Sequence, residues 1–126
     1  MSLHIPLDTA RTVTTAAATM RTLVSPSTSP AMEVAVWRTE LPAGAAGPRH
    51  TIDGDQLVVV VSGAVAVDVD DTAYEVGAGD AFLLPGGSPR VLATAGGEPA
   101  TTITVGRPGA RAAVGDGEPV PVPWTA

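Results

Sequence analysis

Apolar and polar residues alternate over residues 31–41, with Met32, Val34 and Val36 on one face and Ala35, Trp37, Thr39 and Leu41 on the other. A period of two is the mark of a half-buried strand. The same period returns over 64–70, where Val65, Val67 and Val69 oppose Ala66 and Asp68. Residues 56–62 are instead β-branched and apolar on both faces. The strand they predict must be covered on both sides. Further short strands are predicted over 72–76, 81–84, 90–94 and 101–105. Asp70-Asp71 reads as a hairpin turn, and Gly77 to Asp80, Pro85-Gly86-Gly87 and Gly96 to Pro99 as other turns. Residues 25–30 (SPSTSP) and 42–47 (PAGAAG) are loops by composition. Residues 14–20 (TTAAATM) suit a helical turn or a strand. The sum is about eight short strands with no alternating helices, which predicts an all-β sandwich or barrel rather than a parallel sheet.

The strands occupy a core over about 31–106, within one domain spanning 1–126. Residues 1–30 form an N-terminal arm and first strands; residues 1–12 themselves read as irregular. Residues 107–126 form an extended tail carrying four of the 12 prolines, and Trp124 near its end is expected to dock on this domain or a neighbour's. The outer face of 56–61 requires a second sheet, an arm or a second subunit, and a homodimer is the expectation.

Composition removes several classes of function. The chain has 126 residues and a net charge of −6. Its seven basic residues are all arginine, in no cluster. Such a chain is poorly suited to phosphate backbones or anionic lipid, so neither nucleic acid nor membrane is an expected partner. With no cysteine, disulfides, thiolate metal sites and cysteine nucleophiles are excluded. Residues 1–12 lack the apolar run of a secretory leader, and the longest apolar run, 57–61, is far short of a membrane span. A cytoplasmic protein is expected. No phosphate-binding glycine loop, zinc-protease helix motif or serine-hydrolase elbow occurs.

Two stretches carry a family pattern. The first is PRHTIDGDQLVVVVSG, residues 48–63; the second is GDAFLLPGGSPR, residues 79–90. Together they resemble the cupin superfamily, whose first motif has two histidines, a glutamate and a glycine, and whose second has a glycine, a Pro-x-Gly and a histidine. His50, Gly63, Gly79, Pro85 and Gly87 match. Ile52 stands at the second histidine, Gln56 at the glutamate and Arg90 at the last histidine. The resemblance implies a small antiparallel jelly-roll β-barrel.

It also implies that these positions converge inside the barrel, where other cupins hold a divalent ion. Isoleucine cannot coordinate, glutamine is a weak neutral donor, and arginine repels a cation. No metal and no other cofactor is therefore expected. The set suits a small anionic or enolisable molecule instead. Arg90 would stabilise its charge, Gln56 would position it, and His50 would carry a proton. Val36, Val58, Val60, Phe82 and Leu84 are the expected walls. The resulting function is a metal-independent cyclase, isomerase or dehydratase, with natural-product biosynthesis as a fold-level analogy. A non-catalytic carrier or sensor is one alternative. A metalloenzyme using His50 with Asp53 or Asp55 is another. The structural alternatives are a rim position for His50, a salt bridge from Arg90 to Glu40, Asp55 or Asp80, and packing roles for Trp37 and Trp124.

Overall fold

A computed structural model describes residues 3–126. The first two residues of the predicted arm lie outside them. Among the described residues twelve strands form: β1 (Arg11–Thr14), β2 (Thr19–Val24), β3 (Ala35–Leu41), β4 (Thr51–Ile52), β5 (Gln56–Ser62), β6 (Ala64–Val69), β7 (Thr72–Gly77), β8 (Ala81–Leu84), β9 (Arg90–Thr94), β10 (Ala100–Gly106), β11 (Arg111–Ala113) and β12 (Val120–Pro121). The only helical elements among them are single 3₁₀ turns at Leu7–Thr9 and Pro123–Thr125. The expected all-β fold is what forms, an antiparallel jelly roll.

A six-stranded sheet runs in the order β1-β2-β3-β10-β5-β8 and faces a three-stranded sheet, β7-β6-β9. A second three-stranded sheet, β12-β11-β4, is built largely from the tail. Val58 and Val60 of the large sheet and Val65 and Val67 of the small one are at most 2% exposed. They belong to one core cluster with Ala35, Trp37, Leu41 and Leu84. Each valine buried so completely contributes about 1.5 kcal/mol of hydrophobic stabilisation.

The turns follow their local chemistry. Asp70 and Asp71 both have positive φ (51° and 66°), and Val69 pairs with Thr72. That is a two-residue hairpin loop of the kind whose twist matches its strands. The Asp68 carboxylate accepts the Asp71 N–H at 3.1 Å and holds the loop. Gly63, φ 73°, joins β5 to β6 against residues 99–100; a Cβ there would collide with the Pro99 carbonyl oxygen. The motif glycine is thus a packing requirement of the hairpin.

The structure corrects the start of one predicted strand and resolves two readings that the sequence leaves open. The strand predicted over 31–41 starts only at Ala35, because a turn after Pro30 occupies the chain and leaves Met32 51% exposed. Residues 14–20 span a hairpin, with β1 and β2 joined through 15–18; the Thr15 hydroxyl accepts from the Ala17 and Ala18 amides. The tail is extended but not free. It pairs with β4, then turns at Pro123–Thr125 and packs on its own chain. Thr125 is fully buried, its hydroxyl bonding Val122 O and accepting from Ala110 N. The Thr22 hydroxyl donates to Trp124 O at 3.0 Å, and Arg11 donates to Pro123 O and Ala126 O. Trp124 therefore docks on its own chain.

The two-faced strand β5 is covered on one side only. Leu57, Val61 and Leu83 remain 39%, 48% and 70% exposed on the outer face of the large sheet. No helix among the described residues is long and apolar enough to cross a membrane.

Candidate functional site

Between the sheets lies a cavity of about 170 Å³. One end is lined by His50, Gln56 and Arg90, which the topology brings together from three places. Gln56 opens β5 and Arg90 opens β9. His50 lies before β4 and bridges to Arg90 through both backbone hydrogen bonds, at 3.0 and 2.9 Å. The three polar residues singled out from the sequence thus line the same cavity, Gln56 from the large sheet and Arg90 from the small one.

Arg90 is completely buried. Its Nη2 donates to Pro85 O at 2.6 Å, its Nε to Ser88 O at 3.0 Å, and its Nη1 to Gln56 Oε1 at 3.4 Å. The Pro-Gly-Gly-Ser-Pro loop therefore wraps the guanidinium with carbonyl oxygens. All three acceptors are neutral. Glu40 pairs with Arg21 at 2.6 Å, Asp55 accepts from the Gly86 amide, and Asp80 is exposed. None of these carboxylates reaches Arg90, so the salt bridge that was the structural alternative is not formed. Burial lowers the basicity of Arg90, and the charge of Asp70 partly restores it. Each guanidinium nitrogen so placed has one hydrogen-bond partner, but no carboxylate touches the group and only the more distant Asp70 offsets its charge. Two of its five N–H groups are uncommitted among the described residues.

Gln56 is oriented by this contact. Its oxygen must face the guanidinium, which has only donors to offer. The amide NH₂ is left for the cavity. His50 Nδ1 lies 2.8 Å from Pro48 O, so Nδ1 carries the proton and Nε2 keeps its lone pair. Burial pushes the imidazole below its ordinary range, the bond to Pro48 opposes this, and the charge of Arg90 adds to the lowering. At neutral pH the ring is an uncharged base. It also lines an outer cleft with Arg49, Thr51 and Pro89, so it stands between solvent and cavity.

Of the expected walls, Val58 and Leu84 line the cavity. Val60 is buried in the core cluster but does not line it. Val36 does not line it either, because Trp37 takes the inward position on β3 and Val36 points to the outer face. Phe82 lies against the core but borders a separate groove with Val67, Val69 and Tyr74. The sequence reading missed Trp37, Trp124, Thr39, Thr102 and Thr104, all of which line the cavity. Alternation on β10 puts Thr102 and Thr104 on one face, but the apolar Ile103 and Val105 of the other face point a sequence rule the wrong way. No Asp or Glu lines the cavity.

The residues present do not fit a divalent metal. Ile52, 4% exposed, packs in an apolar cluster with Ala110 and Val122. The guanidinium occupies another of the family's ligand positions. The alternative ligands are committed elsewhere: Asp53 accepts from Arg107 Nη2 at 2.8 Å and Arg111 N at 3.0 Å, and Asp55 from Gly86 N at 2.8 Å. Among the described residues no three His, Asp or Glu side chains group to hold an ion.

A family model described as a cupin domain matches residues 37–106, more than half of the chain. Among solved structures, the polyketide cyclase RemF from Streptomyces resistomycificus superposes with a TM-score of 0.72 at 21% identity, over 85% of this chain and 80% of that one. A sugar phosphate isomerase from a cupin superfamily, from Silicibacter pomeroyi, gives 0.71 at 21% identity, over 90% and 82%. Bacillus subtilis oxalate decarboxylase gives 0.72 at 20% identity, but this chain spans only 28% of it. Identities this low speak for the fold alone. A comparison with curated proteins gives no match.

Proposed function

The chain belongs to the cupin family, and from that premise we propose that it is a metal-independent enzyme acting on a small anionic or enolisable molecule held between its sheets. The observation that carries this reading is the buried guanidinium of Arg90 in a cavity without a carboxylate. A bound carboxylate or enolate would supply the missing charge, meeting a guanidinium fork and the Gln56 NH₂. His50 Nε2 would take a proton from carbon next to a carbonyl. The developing oxyanion would then gather on donors fixed in place before reaction. Returning the proton to a different atom gives isomerisation; loss of a leaving group gives dehydration; attack of the enolate on a second carbonyl gives cyclisation. A cyclase and an isomerase stand among the structural neighbours, which supports an enzyme of this kind by analogy only.

The test is proton exchange on phenylpyruvate, an enolisable carboxylate on one ring, followed by NMR in D₂O. Exchange at the carbon beside the ketone is expected to exceed the buffer rate and to fall to it in His50→Ala. Equal exchange in the two proteins contradicts the reading. Binding without exchange favours a carrier.

We also propose a cytoplasmic homodimer formed by the outer face of the large sheet. The arm pairs with β2 and the tail with β4 and β11, so neither covers Leu57, Val61 and Leu83. A second copy of that face is the remaining cover offered by the sequence.

A further inference from the structure

The far wall of the cavity carries polar groups that the fold itself leaves unused. Thr102 and Thr104 are 2% and 5% exposed, and Trp37 is 4% exposed. All three line the cavity. Thr104 lies directly across from Trp37 in the β10–β3 register, and Thr102 across from Thr39, a third lining threonine. Partners so placed have Cβ atoms about 5 Å apart. Neither threonine hydroxyl nor the indole N–H makes a hydrogen bond to any described residue. Two other buried hydroxyls are paired, Thr22 donating to Trp124 O and Thr125 making two bonds, while that of Thr94, away from the cavity, has no partner. Valine matches threonine in shape, and β5 uses Val58 and Val60 opposite these same positions. Packing alone gives no reason for the hydroxyls, which belong to residues lining the cavity.

We infer that Trp37, Thr102 and Thr104 select a single-ring carboxylate bearing ring oxygens, its acid group at Arg90 and Gln56 and its hydroxyl or keto oxygens against these three residues. This rests on the anion reading of the Arg90 end. Spacing and size both fit it. Gln56 pairs with Gly106, two residues from Thr104 and four from Thr102. At the rise of a strand those steps are about 7 and 14 Å. A cavity of this volume suits one substituted ring, since a cavity of about 150 Å³ accommodates benzene. Apolar Leu84, Val58 and Met20 line the same space, paired in register with Gln56, Thr104 and Thr39, so a flat ring would meet an apolar side chain at each level and its oxygens the polar groups beside them.

Calorimetric titration with benzoate and 3,5-dihydroxybenzoate tests this, using the wild-type chain, Thr102→Val, Thr104→Val and Arg90→Met. The wild type is expected to bind the dihydroxy acid about tenfold more tightly than benzoate, the worth of one or two hydrogen bonds. That ratio is expected to shrink toward one in each threonine variant. The melting temperature is expected to hold or rise in both, because the lost hydroxyl had no partner. Equal wild-type binding of the two acids overturns the inference, and so does a ratio that survives both threonine variants. A fall of several degrees in melting temperature assigns the hydroxyls to structure and also overturns it. In all these outcomes, benzoate binding that is lost in Arg90→Met leaves the anion site standing. Failure of both acids to bind, or binding indifferent to Arg90→Met, removes the anion reading and this inference with it.

Discussion

The side-chain oxygen of Gln56 accepts a hydrogen bond from Arg90 Nη1 at 3.4 Å, across 34 positions of sequence. The contact fixes which end of the amide meets the cavity. Gln56→Leu would free the guanidinium N–H but remove the spare NH₂, and Gln56→Glu would put a carboxylate against Arg90 and neutralise it. Carboxylate binding is expected to weaken about fivefold in the first and at least about fiftyfold in the second. Calorimetry against benzoate reads the difference. Equal losses would mean that the charge of Arg90 is not what binds.

His50 gives the site a pH dependence of defined sign. Its folded pKa lies below the ordinary value of about 6.5, through burial and the charge of Arg90. As pH falls from 6.5 toward that lower value, the unfolded chain binds the proton more readily than the folded one. Stability therefore declines over that window and is fully present above it. A plot of melting temperature against pH is expected to flatten over this range in His50→Ala. Proton exchange on phenylpyruvate, as a base-catalysed step, is expected to rise with pH through the folded pKa and level off by neutrality. A rate that falls over this window would assign His50 the role of an acid.

Trp124 ties the tail to the cavity. It lines the space beside Val122 and packs on the main core cluster. Trp124→Ala is expected to cost about 2 kcal/mol, less than a fully buried tryptophan because this one is half-buried. The enlarged cavity should also admit a two-ring acid such as 2-naphthoate that the wild type excludes. Urea denaturation and calorimetry check the two halves separately.

Leu83, 70% exposed on the edge strand β8, tests the oligomer. Leu83→Asp is expected to convert a dimer to a monomer by light scattering after gel filtration. A wild-type chain already monomeric at high concentration would contradict the proposed assembly.

Much of the fold was legible because its strands obey simple rules. Period-two alternation and turn residues located β3 and β5 through β10, and a positive-φ Asp70-Asp71 hairpin formed where two aspartates interrupt the pattern. The pairs β4 and β11–β12 were not legible: a two-residue strand has no period, and its partners lie about 60 positions away. The site was legible in part. Motif spacing located His50, Gln56 and Arg90 because glycines and a proline fix the loops that carry them. The far wall was not, because alternation tells which residues share a face but not which face looks inward. On β10 the hydroxyls of Thr102 and Thr104 face in, while Ile103 and Val105 face out and stay half-buried. A rule that places apolar residues inside would choose the wrong face here. Val36 and Trp37 pose the same ambiguity on β3, and the larger side chain takes the interior.

On the proposed function, Arg90 makes this cavity a site for an anion rather than a metal. Benzoate should be titrated calorimetrically into chelator-treated wild-type chain and Arg90→Met, each with and without added manganese or zinc. About one benzoate per chain is expected in the wild type, unchanged by either ion, and no measurable binding in Arg90→Met. Binding that appears only after metal is restored, or that survives intact in Arg90→Met, would contradict it.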